Sequence, residues 1–367
     1  MLGICSVSKE RNSSFELLRL LAMATIVIGH FSGQSLIATT GNPLNHAIAD
    51  FLGAGVRIAV NVFLLVGTWF MVDAAFKPER LLGLYVQVAL YTMPLTAIMI
   101  VLGMAGGARN IIQGFLPFFG RPLWFATAYI SLTALTPFLN LAFRLNDCDL
   151  GRLAGLLLFF FSVVSTIPAF TAPEYPAEVA WFLVVYICMG WAKRTKFFDR
   201  LPSKWWSLIL GGGMLLALSL ARMLPITARA AEYWLTHLPA LPNILIAVLI
   251  FNFFRLLEMG SIRIVNLMAS SVFAVYIVHQ TPAFRECLWN VLCQAGALAT
   301  SSCTLFVFEL IGVVCCLFAS VTIVDRVYRI SAQRMIERSS LFAYAVRTLN
   351  GIYKQQDKER TKRCICI

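Results

Sequence analysis

Long apolar runs, separated by short polar punctuation, dominate the hydrophobic pattern of this chain. Windows of about 20 mostly apolar residues, the length that crosses a hydrocarbon core of about 30 Å, fall at 15–36, 51–72, 81–103, 121–143, 153–170, 177–192, 205–222, 238–257, 264–283 and 303–324. Such runs lack the strict alternation of a transmembrane strand. Lipid offers backbone amides no partner, so the segments are expected to be helices that satisfy their own amides. The expected fold is therefore all-α, a multi-pass integral membrane bundle of about ten transmembrane helices. No internal repeat stands out, which gives no support to an inverted-repeat transporter.

Composition agrees with the pattern. Of 367 residues, 59% are hydrophobic and only 13% charged, with a mean hydropathy of +0.78, whereas a soluble domain carries about 25% charge. A soluble enzyme and a nucleic-acid-binding domain are excluded on that ground, so the +12 formal charge needs another explanation. Topology supplies it. With the N-terminus in the cytoplasm, most of the 30 Lys and Arg residues fall inside, only Arg109, Arg121, Arg222, Arg229 and Arg285 fall outside, and Arg57 lies within a span. Both termini are thus expected in the cytoplasm, because an odd number of crossings would strand the basic C-terminal stretch outside. The chain divides into a membrane domain, 1–330, and a basic cytoplasmic tail, 331–367. That tail suits a helix lying on an anionic leaflet, or serves only as topogenic charge. No cleavable signal peptide is expected, since Glu16 and Arg19 interrupt the first apolar run. Among the cysteines, Cys287, Cys293 and Cys303 share the last outer connection, where one pair could be oxidised. No metal-ligand spacing occurs, so no metal is expected.

Ionisable residues inside spans are costly and therefore candidates for function. In the first span Arg19 and His30 are separated by eleven residues, which returns them to within about 20° of one helix face and sets them about 16 Å apart along the axis. Glu16 precedes Arg19 by one turn and can pair with it. His30 is a general base, or else a neutral histidine bonded to a neighbouring helix; Arg19 is a functional cation, or else a topogenic one reaching the interface. In the second span Arg57, Asn61 and Thr68 share one stripe, and Arg57 orients a substrate hydroxyl, holds a phosphate, or pairs with an acid such as Asp50 or Glu178. The ninth span ends with Tyr276, His279 and Gln280 in one turn, followed by Pro282. Glu309 is a further acid within the last span.

Together these segments resemble the membrane acyltransferases called acyltransferase family 3, which O-acylate bacterial surface glycans and related acceptors. FELLRLLAMATIVIGHF (15–31) is similar to that family's opening helix, with its Arg-x10-His spacing at Arg19 and His30. NVFLLVGTWFM (61–71) with KPERLLGLYV (77–86) resembles the Phe-rich second helix and its basic turn, although Val66 stands where the family often has Ser before the Gly now at 67. PLWFATAYISLTALTP (122–137) and SSVFAVYIVHQTP (270–282) resemble the Leu-Trp-Phe helix and the late Tyr-x-x-His helix.

The resemblance implies an acyltransferase of the bacterial cytoplasmic membrane that moves an acyl group, acetyl by default, from cytoplasmic acyl-CoA to a hydroxyl of a cell-surface or lipid-linked glycan. It implies acyl-CoA as co-substrate with no bound cofactor, and the lipid bilayer rather than nucleic acid as partner. His30, as general base or transient acyl carrier, and Arg19 would be catalytic; Arg57, Asn61, Tyr276 and His279 would contact substrate. A polytopic transporter or flippase of a glycan or small molecule, with polar stripes lining a path, is the alternative, and a noncatalytic scaffold a third.

Overall fold

In the computed structural model, residues 12–34, 42–118, 122–167 and 174–364 are described. They are 82% helical, and no strand occurs among them. The helices run α1 (Ser13–Gln34), α2 (Pro43–Gly53), α3 (Val56–Met71), α4 (Pro78–Val101), α5 (Ala108–Phe115) and α6 (Trp124–Leu139). Then follow α7 (Asp147–Leu158), α8 (Glu174–Arg194), α9 (Lys204–Ala221), α10 (Ala228–Thr236), α11 (Leu241–Arg255) and α12 (Arg263–Ala269). The chain ends with α13 (Val272–Gln280), α14 (Pro282–Glu286), α15 (Ala295–Thr300), α16 (Cys303–Val324), α17 (Ile330–Glu337) and α18 (Ser340–Cys364).

Seven helical stretches among the described residues are long and apolar enough to cross a membrane, and nine if each of two bent pairs makes one crossing. The sixth expected run coincides with α8, which is not counted among the nine. Yet α8 packs on α3, α6 and α7, and its Trp181, Phe182 and Tyr186 are fully buried. The bends have causes. At Pro282 the helix turns by 79° between α13 and α14, because proline cannot donate the next backbone bond.

α1 is the axis of the bundle, touching α2, α3, α11, α12, α13 and α16. Glycine permits its tightest approach: a Cβ on Gly53 would lie 2.7 Å from the Gly29 Cα, and one on Gly29 would collide with Val56. Small residues let membrane helices meet backbone to backbone, and here the contact is one residue from His30. At the other end of α1, Ser13 N donates to Gly260 O at 2.8 Å, and Ser13 Oγ donates to Asn266 at 2.9 Å while accepting from Ile262 N at 2.7 Å. Asp325, fully buried, accepts from Tyr91 Oη at 2.6 Å and Ser271 Oγ at 2.8 Å and pairs with Arg329, tying α4, α13 and α16 together. Buried charge survives only with such complete pairing. Cys287, Cys293 and Cys303 are free thiols, so the structure has no disulfide at the connection where one was open. The tail continues as α17 and α18, and Tyr353 packs on Phe76 and Phe138 and donates to Ala134 O at 3.1 Å.

Candidate active site

Two cavities lie at opposite ends of α1. The first, about 580 Å³, is lined by His30 with Arg57, Asp50, Arg222, Glu232 and Arg285. The second, about 770 Å³, is lined by Arg19 with Glu16, Gln87, Tyr129 and Arg329. Phe63 and Phe125 line both. Their rings meet edge to face, 5.9 Å between centroids and 86° between planes, and both residues are buried. This aromatic pair is the partition between the cavities. Phe125 is held by stacking near-parallel to Tyr129 and by its backbone N–H, which donates to Tyr276 Oη at 3.2 Å. The Arg19 guanidinium sits 5.5 Å from the centroid of the Phe63 ring.

The histidine system is built by α1 and the bent end of α13. His30 Nδ1 lies 3.0 Å from His279 Nε2, and His279 Nδ1 lies 2.6 Å from Val275 O. A carbonyl only accepts, so His279 Nδ1 carries a proton and donates it there. Neutral His279 then offers its Nε2 lone pair to His30, whose Nδ1 donates in turn. His30 Nε2 is left with its lone pair, the form a general base requires. The Gln280 amide lies 2.7 Å from His30 Nδ1 and 3.2 Å from the Gln34 side-chain amide; a protonated His30 Nδ1 assigns the Gln280 oxygen toward the imidazole and requires the Gln34 amide to turn its NH2 to that oxygen. His279 is fully buried and stands behind His30 rather than in the cavity, so it orients the imidazole and does not line a binding surface.

The other expected residues divide. Arg57 and Tyr276 line the His30 cavity. Arg19 lies across the partition and pairs with Glu16 at 2.9 Å, so the shared face of α1 serves two chambers rather than one. Asn61 is a correction: fully buried, it accepts from Trp181 Nε1 at 2.8 Å and donates to Leu238 O at 2.9 Å. Both ends of its amide are used to tie α3 to α8 and to the stretch before α11, and it lines neither cavity. Thr68 is likewise turned to its own helix, donating to Leu64 O at 2.8 Å. Arg57 forms no ion pair with Asp50 or Glu178; its guanidinium lies 5.4 Å from the centroid of the Trp124 ring. Asp50 instead accepts from Ser32 Oγ at 2.6 Å, with His46 at 3.4 Å and Arg222 at 3.9 Å. Glu309 has one carboxylate oxygen buried without a hydrogen-bond partner among the described residues and lines neither cavity.

Sequence reasoning passed over the partition, since Phe63 and Phe125 are two among 28 phenylalanines and nothing local marks them. Arg222 and Arg285 stand in the sequence only as two of the five outer basic residues, yet both line the His30 cavity.

A family model described as an acyltransferase domain, Acyl_transf_3, matches residues 12–325. No curated protein and no solved structure matches the chain. The match takes in every residue that lines the His30 cavity and all but Arg329 of those that line the Arg19 cavity, and the chain belongs to acyltransferase family 3.

Proposed function

We propose that this membrane acyltransferase carries an acyl group, acetyl by preference, from cytoplasmic acyl-CoA to a hydroxyl of a glycan or lipid-linked saccharide. The observation that carries this reading is the pair of cavities that open from opposite ends of α1 and meet at Phe63 and Phe125. With both termini in the bacterial cytoplasm, as the basic residues favour, the Arg19 cavity faces the donor and the His30 cavity faces the acceptor. Only the thioester end of the donor need pass the aromatic partition.

His30 Nε2 removes the acceptor hydroxyl proton as that oxygen attacks the thioester carbonyl carbon. The tetrahedral intermediate collapses with cleavage of the C–S bond, and the departing thiolate takes the proton back from His30. Arg57, beside Trp124 in the same cavity, contacts the acceptor, and His279 with Val275 keeps the imidazole in its reactive tautomer. Arg19 is neutralised by Glu16 and acts at the mouth of the partition, beside Phe63, rather than as a free phosphate ligand. A transporter would use the same polar linings as a path, but the Phe63–Phe125 partition closes that path in this structure.

Proteoliposomes with acetyl-CoA on one side and saccharide acceptors on the other decide the matter. Acetyl transfer that disappears in His30→Ala is expected; movement of the acceptor without acetylation sinks the reading.

A further inference from the structure

The His30 cavity holds a charge imbalance that acyl transfer alone does not demand. Its two carboxylates are engaged: Asp50 with Ser32, His46 and Arg222, and Glu232 with Arg222. Arg57 and Arg285 bring two more positive charges into the same cavity, and neither has a carboxylate or hydrogen-bond acceptor among the described residues. Both are close enough to His30 to interact with it electrostatically. The Arg19 cavity is different, because Arg19 is paired with Glu16 and Arg329 with Asp325. Uncompensated charge in a membrane domain is disfavoured and needs a partner. The Arg57 guanidinium lines the cavity 5.4 Å from the centroid of the Trp124 ring, and a guanidinium carries planar N–H groups that take a carboxylate or phosphate in two bonds.

We infer that the acceptor is an anionic saccharide, whose carboxylate or phosphate is held by Arg57 and Arg285 while a nearby hydroxyl is presented to His30. The inference rests on the reading that the His30 cavity receives the acceptor. It gives Arg285 a binding role, and it gives the cavity selectivity against neutral sugars.

The test is binding by the purified full chain in lipid nanodiscs, at fixed ionic strength, to methyl glucoside, glucuronate, glucose 1-phosphate and coenzyme A. At least one of the two anionic sugars is expected to bind tenfold or more tighter than methyl glucoside. The difference should vanish in the double variant Arg57→Gln/Arg285→Gln and persist in part in Arg57→Lys/Arg285→Lys. Arg285→Gln alone, on a residue with no partner to lose, should reduce the preference severalfold if the double variant fails to fold. Equal binding of the neutral glucoside, or a preference that survives these changes, overturns the inference. So does a parallel loss of coenzyme A affinity in the Gln variants, which would assign the anion to the donor. Because no titration requires turnover, the two ideas fail separately: acetylation of neutral acceptors alone refutes the anionic subsite and leaves the transferase intact. Absence of transfer from acetyl-CoA to any acceptor refutes the transferase reading.

Discussion

The two cavities differ in how they treat charge, although one helix lines both. Around Arg19 both lining cations are paired: Glu16 sits one turn away from Arg19, and fully buried Asp325 grips Arg329. Around His30 the pairing is incomplete, and the polar groups point inward toward a histidine held by His279 and Gln280. A neutral chamber suits the thioester arm of a donor whose phosphates stay in water. A charged chamber suits a polar acceptor. The same residue types are therefore fully paired on one side of Phe63 and Phe125 and partly unpaired on the other.

Four substitutions can break that contrast. The largest expected effect is His30→Ala, which removes the proposed base and should lower acetyl transfer in proteoliposomes by about 10²–10⁴-fold; near-normal turnover would mean that chemistry occurs elsewhere. Next is Asp325→Ala, which leaves Arg329 without its buried partner and should reduce bundle stability by about 3–5 kcal/mol, read as the midpoint of unfolding in detergent. If its effect proves smaller than that of Asp50→Ala, the two chambers are not distinguished as argued. Phe63→Ala enlarges the partition by most of an aromatic ring. Since one methylene in a tight apolar site discriminates by about 10–200-fold, the ratio of butyryl to acetyl transfer should rise by roughly tenfold when both thioesters compete; an unchanged ratio would show that the donor does not pass between these rings. The smallest is Tyr276→Phe, which deprives the Phe125 N–H of its acceptor and should cost about 1 kcal/mol in stability, with a severalfold change in turnover.

Much of the fold is legible in the chain. Nine of the expected apolar runs reappear as long or bent spans, and the sixth reappears as the helix α8. Lipid allows few alternatives, so hydropathy translates almost directly into helices. The site is legible only in part. His30, Arg57 and Tyr276 stand out because polar groups in spans are rare, and all three line one cavity. That same rarity misplaced Asn61, which is polar and intramembrane because it joins helices through Trp181 and Leu238. His279 supports His30 from behind, and Arg19 belongs to the opposite chamber. Periodicity puts Arg19 and His30 on one face of α1 but says nothing of what stands between them.

The sequence by itself therefore determined the solvent, the helical class, the family resemblance and a short set of polar residues, because each follows from local composition and spacing. Only the tertiary structure decided that Phe63 of α3 meets Phe125 of α6 to divide the interior, and that Arg285 and Arg222 join Arg57 around His30. Those contacts link residues up to roughly 250 positions apart, and no local pattern encodes them. They exist because glycine contacts such as Gly29 with Gly53 and bends such as that at Pro282 set how the helices cross, and the crossing fixes which side chains share a cavity.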